Sequence, residues 1–423
     1  MKILSKIPTF LLVAVFVVTF SSCSEDGSGN RPKDFEPIPI SRSEEGIVKA
    51  DNIFAYKLFD AVDSRAGEHE NYVISPLSVS ITLAMAANGA SGETLDEMLD
   101  VLGFEQQDIA GLNTFYKKML DRLPALDNTT TVNIANALWI NKDYTTKTYD
   151  MFSGNMRDFY GSPIMYLDDI TSDATHQAIN KWYSDNSHGI LSGAPESKFD
   201  NETAALFTNA LYFKGIWSHA FLEDDTQERT FKNSDGTISN VMMMEVERGF
   251  SGYKDEGYSA ISVLYGNGAY SMIIILPDEG ENVDDCMRNI DPEYISRLAK
   301  DDFGFITNRL RLRMPKFEIV NELDMISALQ SMELKKMFSP ENAEFREICE
   351  SRGIFISRIL QGTRIVIDEK GTEAITYTEE KGKWYGEPGP LAATDFFVDR
   401  PFAFIIAEKS TGLPLFMGRI NKL

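Results

Sequence analysis

Reactive side chains are scarce in this 423-residue sequence. It holds three cysteines, and the two outside the N-terminal leader, Cys286 and Cys349, lie too far apart to read as a metal-type pair. They can form one disulfide in an oxidising compartment or persist as buried thiols. Four histidines occur, His69, His176, His188 and His219, and none sits in a nucleophile-elbow or a zinc-type His-Glu-x-x-His motif. There is no phosphate-binding Gly-x4-Gly-Lys loop and no dinucleotide fingerprint, so no cofactor and no metal are expected. Carboxylates are plentiful, but nothing in their spacing pairs two of them for acid/base work. Positive charge is also in deficit. Against 64 acidic residues stand 41 basic ones, a net charge of -23. Such a surface repels a phosphate backbone, which excludes nucleic acid as a partner, and it favours solubility. No internal repeat is apparent. A catalytic reading has nothing to rest on.

Long apolar runs are missing as well, apart from Ile7 to Phe20 near the start. Lys2 and Lys6 precede it and Ser21-Ser22-Cys23 follow, the composition of a secretory signal rather than a transmembrane helix. The end of this leader resembles a bacterial lipoprotein cleavage box, with residues 1–22 removed and Cys23 lipidated. Phe20 stands where such boxes usually carry leucine, and an ordinary signal peptide with an incidental cysteine is the other reading. Ser24-Glu25-Asp26 resembles the acidic tag of some surface-exposed bacterial lipoproteins. The expectation is export across the inner membrane and a lipid anchor in the outer membrane, facing outwards. Prolines, serines and charges of both signs between Arg31 and Glu45 suggest a flexible tether over about residues 23–48.

The rest, residues 49–423, is long enough to bury a sizeable core, and its 43% hydrophobic content is ordinary for a globular chain. From Asn52, the spacing of Ile53, Tyr56, Phe59, Ala61 and Val62 predicts an amphipathic helix. Ser75-Pro76 opens another, with serine as cap and proline at the first helical position; it ends at Asn88-Gly89. Ala204 to Phe213 is almost continuously apolar, as in a strand covered on both faces. Ser259 to Leu276 reads as a hairpin turning at Gly266-Asn267-Gly268. Arg309 to Glu318 alternates basic and apolar residues, the pattern of a half-buried strand. Helices dominate the first half and long strands the second, which suggests an α+β fold.

One C-terminal stretch resists this inventory. Ile365 to Ile367 is apolar and runs into Asp368-Glu369-Lys370-Gly371; an apolar run resumes only at Phe402. Five glycines or prolines lie between Gly382 and Pro390. Loops of this length are usually functional or disordered. Its first half, however, places Thr372, Ala374, Thr376 and Thr378 at alternate positions, with larger residues between them. That is a strand pattern with one small-residue face.

Glu369-Lys370-Gly371-Thr372-Glu373-Ala374 resembles the hinge of the serpins, the serine-protease-inhibitor superfamily. Asn71 to Ser78, Asn209 to Trp217, Met314-Pro315-Lys316-Phe317, Asp399-Arg400-Pro401-Phe402 and Pro414 to Gly418 resemble serpin segments in the same order. The resemblance implies a single serpin domain with a large central mixed β-sheet, further sheets, about eight to nine helices, and an exposed reactive-centre loop at about 369–398. It implies an inhibitor rather than an enzyme, a monomer whose partners are serine proteases, with cysteine proteases a second class. The loop would be cleaved as bait and then inserted into the central sheet as a strand. At the family's usual spacing from Gly371 the scissile bond is Tyr385–Gly386, which suits chymotrypsin-like enzymes; Lys383–Trp384 is the competing bond and suits trypsin-like ones. The hinge would comprise Glu369, Gly371, Thr372, Glu373, Ala374, Thr376 and Thr378. Glu380 breaks the small face, and is expected near the open end of the sheet where it stays wet. Asn71, Ser75, Ser78 and Asn209 resemble the region where the sheet must open, and Trp217 the residue where insertion begins. Ser357 to Gln361 places glutamine where many serpins carry histidine. A non-inhibitory serpin acting as a binding protein is the alternative.

Overall fold

A computed structural model describes residues 33–104, 108–189, 191, 199–302, 305–350, 353–372 and 394–423. Nine α-helices occur among them: α1 (Arg42–Asp63), α2 (Pro76–Ala87), α3 (Gly92–Leu102), α4 (Ile109–Arg122), α5 (Asp150–Tyr160), α6 (Asp173–Asn186), α7 (Val283–Asn289), α8 (Pro292–Ala299) and α9 (Ile326–Ser331). The strands are β1 (Tyr72–Ile74), β2 (Thr130–Asn141), β3 (Ile164–Leu167), β4 (Ala205–Ile216), β5 (Gln227–Lys232), β6 (Ile238–Asp255), β7 (Tyr258–Tyr265) and β8 (Tyr270–Pro277). They continue with β9 (Phe305–Pro315), β10 (Phe317–Asp324), β11 (Ile356–Asp368), β12 (Gly371–Thr372), β13 (Thr394–Phe397), β14 (Phe402–Glu408) and β15 (Pro414–Ile420).

Helix α1 begins ten residues before the predicted start at Asn52. Glu44 reaches back to accept the Ser41 N–H at 2.8 Å and fixes the first turn, while Val48, Phe54, Ala55, Leu58, Phe59 and Val62 form the buried stripe. Ile38, before the helix, is itself buried and donates its N–H to Ser410 Oγ at 2.8 Å. The packed fold therefore takes in residues that were expected to belong to the flexible tether.

Helix α2 starts as its sequence predicts: the Ser75 hydroxyl accepts the Ser78 N–H at 3.3 Å, with Pro76 next in line. Every residue from Pro76 to Ala87 is buried, because the helix runs through the interior. The predicted hairpin is β7–β8, joined with Tyr265 opposite Tyr270. In β9 the alternation resolves as expected, with Leu310, Leu312 and Met314 in the core. Cys286 and Cys349 are both buried and form no disulfide.

Two sheets carry the fold. One has nine strands, running β1-β15-β14-β8-β7-β6-β9-β13 with β5 beside β6. The other is mixed and has six, in the order β10-β11-β12-β4-β2-β3. Its long central pair, β4 and β11, run parallel to each other. Side chains alternate between two apolar layers: Phe207, Leu211, Phe213, Ile359 and Ile365 enter the main core shared with the nine-stranded sheet, while Leu206, Ala210 and Leu360 pack with Ile179 and Tyr183 of α6 on the other face. Burial on both sides explains why Ala204 to Phe213 is apolar throughout.

Candidate functional site

Strand β11 ends in a tight reversal. The Asp368 carboxylate accepts the N–H groups of Lys370 and Gly371 at 2.8 and 3.2 Å, closing a turn around Glu369 and Lys370. Gly371 and Thr372 then pair antiparallel with β11 on one side, Thr372 opposite Ile367. On the other side they pair antiparallel with β4, Thr372 opposite Gly215. The two residues of β12 thus wedge between two long strands. Gly371 is required there: its φ is +144°, and a Cβ would lie 2.0 Å from the Gly215 carbonyl oxygen.

Side chains from neighbouring elements hold this turn. Trp217 Nε1 donates to the Asp368 carbonyl at 2.9 Å and its backbone N–H to the Lys370 carbonyl at 2.8 Å. The Phe221 N–H donates to the Glu369 carbonyl at 2.9 Å. The Trp217 ring stacks on Tyr265 with centroids 4.3 Å apart, and Tyr265 Oη lies 2.8 Å from the buried Thr372 hydroxyl. Burial works against the charge on Glu369, but Lys316 Nζ at 2.7 Å, helped by further hydrogen bonds, holds its carboxyl below the usual range.

Below the wedge the sheet closes. From Ile356 opposite Ala205 to Thr363 opposite Leu211, β11 and β4 are direct parallel neighbours. A polar network lies under this seam. Gln361 Nε2 donates to the Ser75 carbonyl at 2.9 Å, while its Oε1 accepts the Ser75 N–H at 2.8 Å. The same Nε2 lies 3.4 Å from Asn209 Oδ1, bridging the two strands. Asn209 Nδ2 donates to Asn136 Oδ1 of β2 at 2.6 Å and reaches the Ser78 carbonyl at 3.5 Å. The Thr82 hydroxyl is within 3.2 Å of Asn136 Oδ1. Asn136 Nδ2 and Ser78 Oγ are buried with no hydrogen-bond partner among the described residues.

Of the residues singled out in the sequence, Ser75, Ser78, Asn209 and Gln361 come together in this network, and Trp217 stands at the wedge. Two do not join. Asn71 instead binds the C-terminal segment, its Oδ1 accepting the Asn421 N–H at 2.7 Å. Ser357 lies at the far end of the seam, where its hydroxyl accepts the Ala204 N–H at 3.0 Å. Asn136, Thr82 and Tyr265 were missed; an asparagine inside the buried run of β2 was the available signal for the first. Glu373, Ala374, Thr376, Thr378, Lys383, Trp384, Tyr385, Gly386 and Cys23 lie outside the described residues.

The stretch expected as an exposed loop over 369–398 is narrower than that at both ends. Glu369, Gly371 and Thr372 are buried. Thr394–Phe397 forms β13, parallel to β9, where Arg311 pairs with Asp395 at 2.7 Å and the Arg313 guanidinium lies 4.0 Å from the Phe397 ring centre.

The chain as a whole has counterparts among known proteins. The family profile described as "Serpin (serine protease inhibitor)" matches residues 49–423. An uncharacterised serpin-like protein of Methanosarcina acetivorans is 28% identical over 383 residues, covering 90% of this chain and 87% of that protein. Glia-derived nexin of Rattus norvegicus is 28% identical, covering 84% and 88% respectively. Among solved structures, the thermophilic serpin tengpin in its native state superposes with a TM-score of 0.81 at 26% identity, over 92% of this chain and 98% of that one. Human thyroxine-binding globulin in complex with thyroxine shares the fold, with a TM-score of 0.79 at 23% identity over 89% and 98% of the two chains. From residue 49 to its C-terminus, this chain belongs to the serpin family.

Proposed function

We propose that this serpin inhibits serine endopeptidases as a suicide substrate, using residues 372–382 as a strand that inserts between β4 and β11. The observation that carries the reading is β12: Gly371 and Thr372 already pair with both strands in the antiparallel sense that a longer insert would continue. A protease would attack the carbonyl of the bait residue and expel the following amine, leaving an acyl bond to its serine. Insertion of the freed strand would then drag the protease along. About a dozen inserted residues form on the order of ten to twenty backbone hydrogen bonds, and at ~0.5–1.5 kcal/mol net each the gain is on the order of 10 kcal/mol. A protease fold is itself only about 5–15 kcal/mol stable, so that gain suffices to distort an active site.

The bait bond in this reading is Tyr385–Gly386, with a chymotrypsin-like target, and Lys383–Trp384 is the alternative. Mixing the full chain with chymotrypsin and running a denaturing gel tests it. A stable covalent adduct is the expected result. Cleavage without an adduct would overturn the inhibitory reading and favour a binding protein, a role that thyroxine-binding globulin illustrates within the same fold. We further infer, from the leader sequence alone, that Cys23 is lipidated and tethers the inhibitor to the outer membrane. Metabolic labelling with a fatty acid, lost in Cys23→Ala, is the corresponding test.

A further inference from the structure

We propose that the gap between β6 and β7 is a binding site for a small carboxylic acid with an apolar body, its carboxylate held by Arg248 and Ser262. The inference goes beyond the inhibitory reading and does not depend on it. The two strands part early. Their ladder runs from Asp255 opposite Tyr258 to Ser251 opposite Ser262 and stops there. On the far side of that point β6 pairs with β9 instead, with its register broken between Arg248 and Ser251. Strand β7 continues along β8 as far as Tyr265. A cavity of about 220 Å³ remains between the diverging strands.

The lining of this cavity has two characters. Phe221, Val246, Phe250 and Leu264 supply apolar walls, while Arg248 is the one cation among the described lining residues at neutral pH. His219 lines it too, but lost hydration and the Arg248 charge push its imidazole down to about 4, so it is neutral at pH 7. Ser262 is 4% exposed, and its Oγ has no hydrogen-bond partner among the described residues. A buried hydroxyl left unpaired is costly, and one that borders a cavity is a donor without an acceptor. The remaining side is fixed in place. The Ser218 N–H donates to the Leu264 carbonyl at 2.8 Å, and the Phe221 N–H to the Glu369 carbonyl at 2.9 Å. The cavity is therefore formed before any ligand arrives, which spares binding the cost of ordering its walls.

These features select the ligand. A carboxylate oxygen accepts the Ser262 hydroxyl, the Arg248 guanidinium supplies the opposite charge, and the apolar walls cover the body. Asp301 limits how much charge can enter. It lines the same cavity, with one oxygen accepting the Ser251 hydroxyl and the other 3.8 Å from Lys409 Nζ. With one cation and one carboxylate around the cavity, a dianion such as a phosphate monoester meets more repulsion than a monocarboxylate does. Size limits the body. The cavity is smaller than the about 300–1,000 Å³ typical of drug-sized ligands, which leaves room for a single ring or a short alkyl chain.

The test titrates the full-length protein at pH 7 with benzoate and with hexanoate and follows the rise in thermal-unfolding midpoint. Acetate at matched ionic strength is the reference. A saturable rise with both longer acids, and none with acetate, is expected. Benzamide keeps the ring and removes the charge, and should need roughly tenfold more than benzoate for half-saturation. Ser262→Ala should weaken benzoate by roughly tenfold, and Arg248→Gln should bring benzoate down to the level of benzamide. Without ligand, Ser262→Ala should unfold no earlier than wild type, because its hydroxyl gives up no bond. No saturable rise with either acid, equal half-saturation by benzoate and benzamide, or undiminished benzoate binding in either variant overturns the site. A ligand-free Ser262→Ala that unfolds earlier also overturns it, by showing that the hydroxyl is already paired. The comparison of benzoate with benzamide uses the unaltered protein and stands whatever the variants do.

Discussion

If the proposed insertion continues the ladder that Thr372 begins opposite Gly215 and Ile367, position 380 would come opposite Phe207 and Ile359, both fully buried in the main core. The occupant is Glu380. Its surroundings offer no compensating charge. Between Ala205 and Leu211, β4 has no charged residue; between Ile356 and Thr363, β11 has only Arg358, on the opposite face and 3.4 Å from Asp324. Helix α2, packed on β4, carries none from Pro76 to Ala87. Full insertion would therefore bury Glu380 in its neutral form, and against an ordinary carboxyl pKa near 4.3 that would cost about 3–4 kcal/mol at pH 7. Set against a ladder worth on the order of 10 kcal/mol, this slows or shortens insertion without forbidding it. The sign follows from linkage: a carboxyl raised in the inserted state imposes no penalty below its free pKa, and the penalty grows as pH rises above it. We predict that loop-cleaved Glu380→Ala resists denaturant better than loop-cleaved wild type by about 3 kcal/mol at pH 7. The difference should shrink towards zero near pH 4. Denaturant midpoints measured from pH 4 to pH 8 on both cleaved proteins read it directly. Equal midpoints at pH 7, or a difference that ignores pH, would refute the burial of Glu380 and the register behind it.

The wedge yields two further predictions. Gly371→Ala sets a Cβ against the Gly215 carbonyl oxygen at a φ that alanine avoids; the expected cost is about 1–3 kcal/mol, with the turn leaving the sheet and Trp217 fluorescence changing as its bond to the Asp368 carbonyl is lost. Unaltered fluorescence and stability would count against the strain argument. Thr372→Arg places a guanidinium where the threonine hydroxyl meets Tyr265 at 2.8 Å in a fully buried site; chymotrypsin should then cleave the loop without forming an adduct, and undiminished adduct would falsify insertion through this position.

Much of this architecture was legible in the sequence because strong local patterns met no tertiary opposition. The Ser75-Pro76 cap, the Gly266-Asn267-Gly268 turn and the alternation of β9 each specify their element with residues a few positions apart. Four members of the polar network were legible through resemblance to family segments. Asn136 was not, since a single asparagine in an apolar strand reads equally as an edge position until the neighbouring strand is known. Asn71 misled for the same reason: it adjoins Ser75 in sequence, yet its amide is claimed by the chain terminus in space. The wet environment expected for Glu380 rested on its lateness in the strand. The pairing of Thr372 with Gly215 and Ile367, extended by the proposed insertion, would instead give it a particular pair of apolar neighbours. The start of α1 was hidden by the prolines and mixed charges ahead of it, which resemble a linker although Ile38 is buried.

The position of the last two strands bears on what a cut in the bait leaves behind. β15 lies between β1 and β14, and β14 in turn pairs with β8, so these two strands are woven into the nine-stranded sheet, while β13 pairs with β9 at its end. Severing the chain near residue 385 would produce two polypeptides with one shared interior. The smaller piece could leave only by unfolding the larger. The acyl bond to a protease would sit on the larger piece, at the tip of the strand that moves. The smaller piece, held by β14 and β15, would stay behind as a fixed part of the frame past which that strand travels.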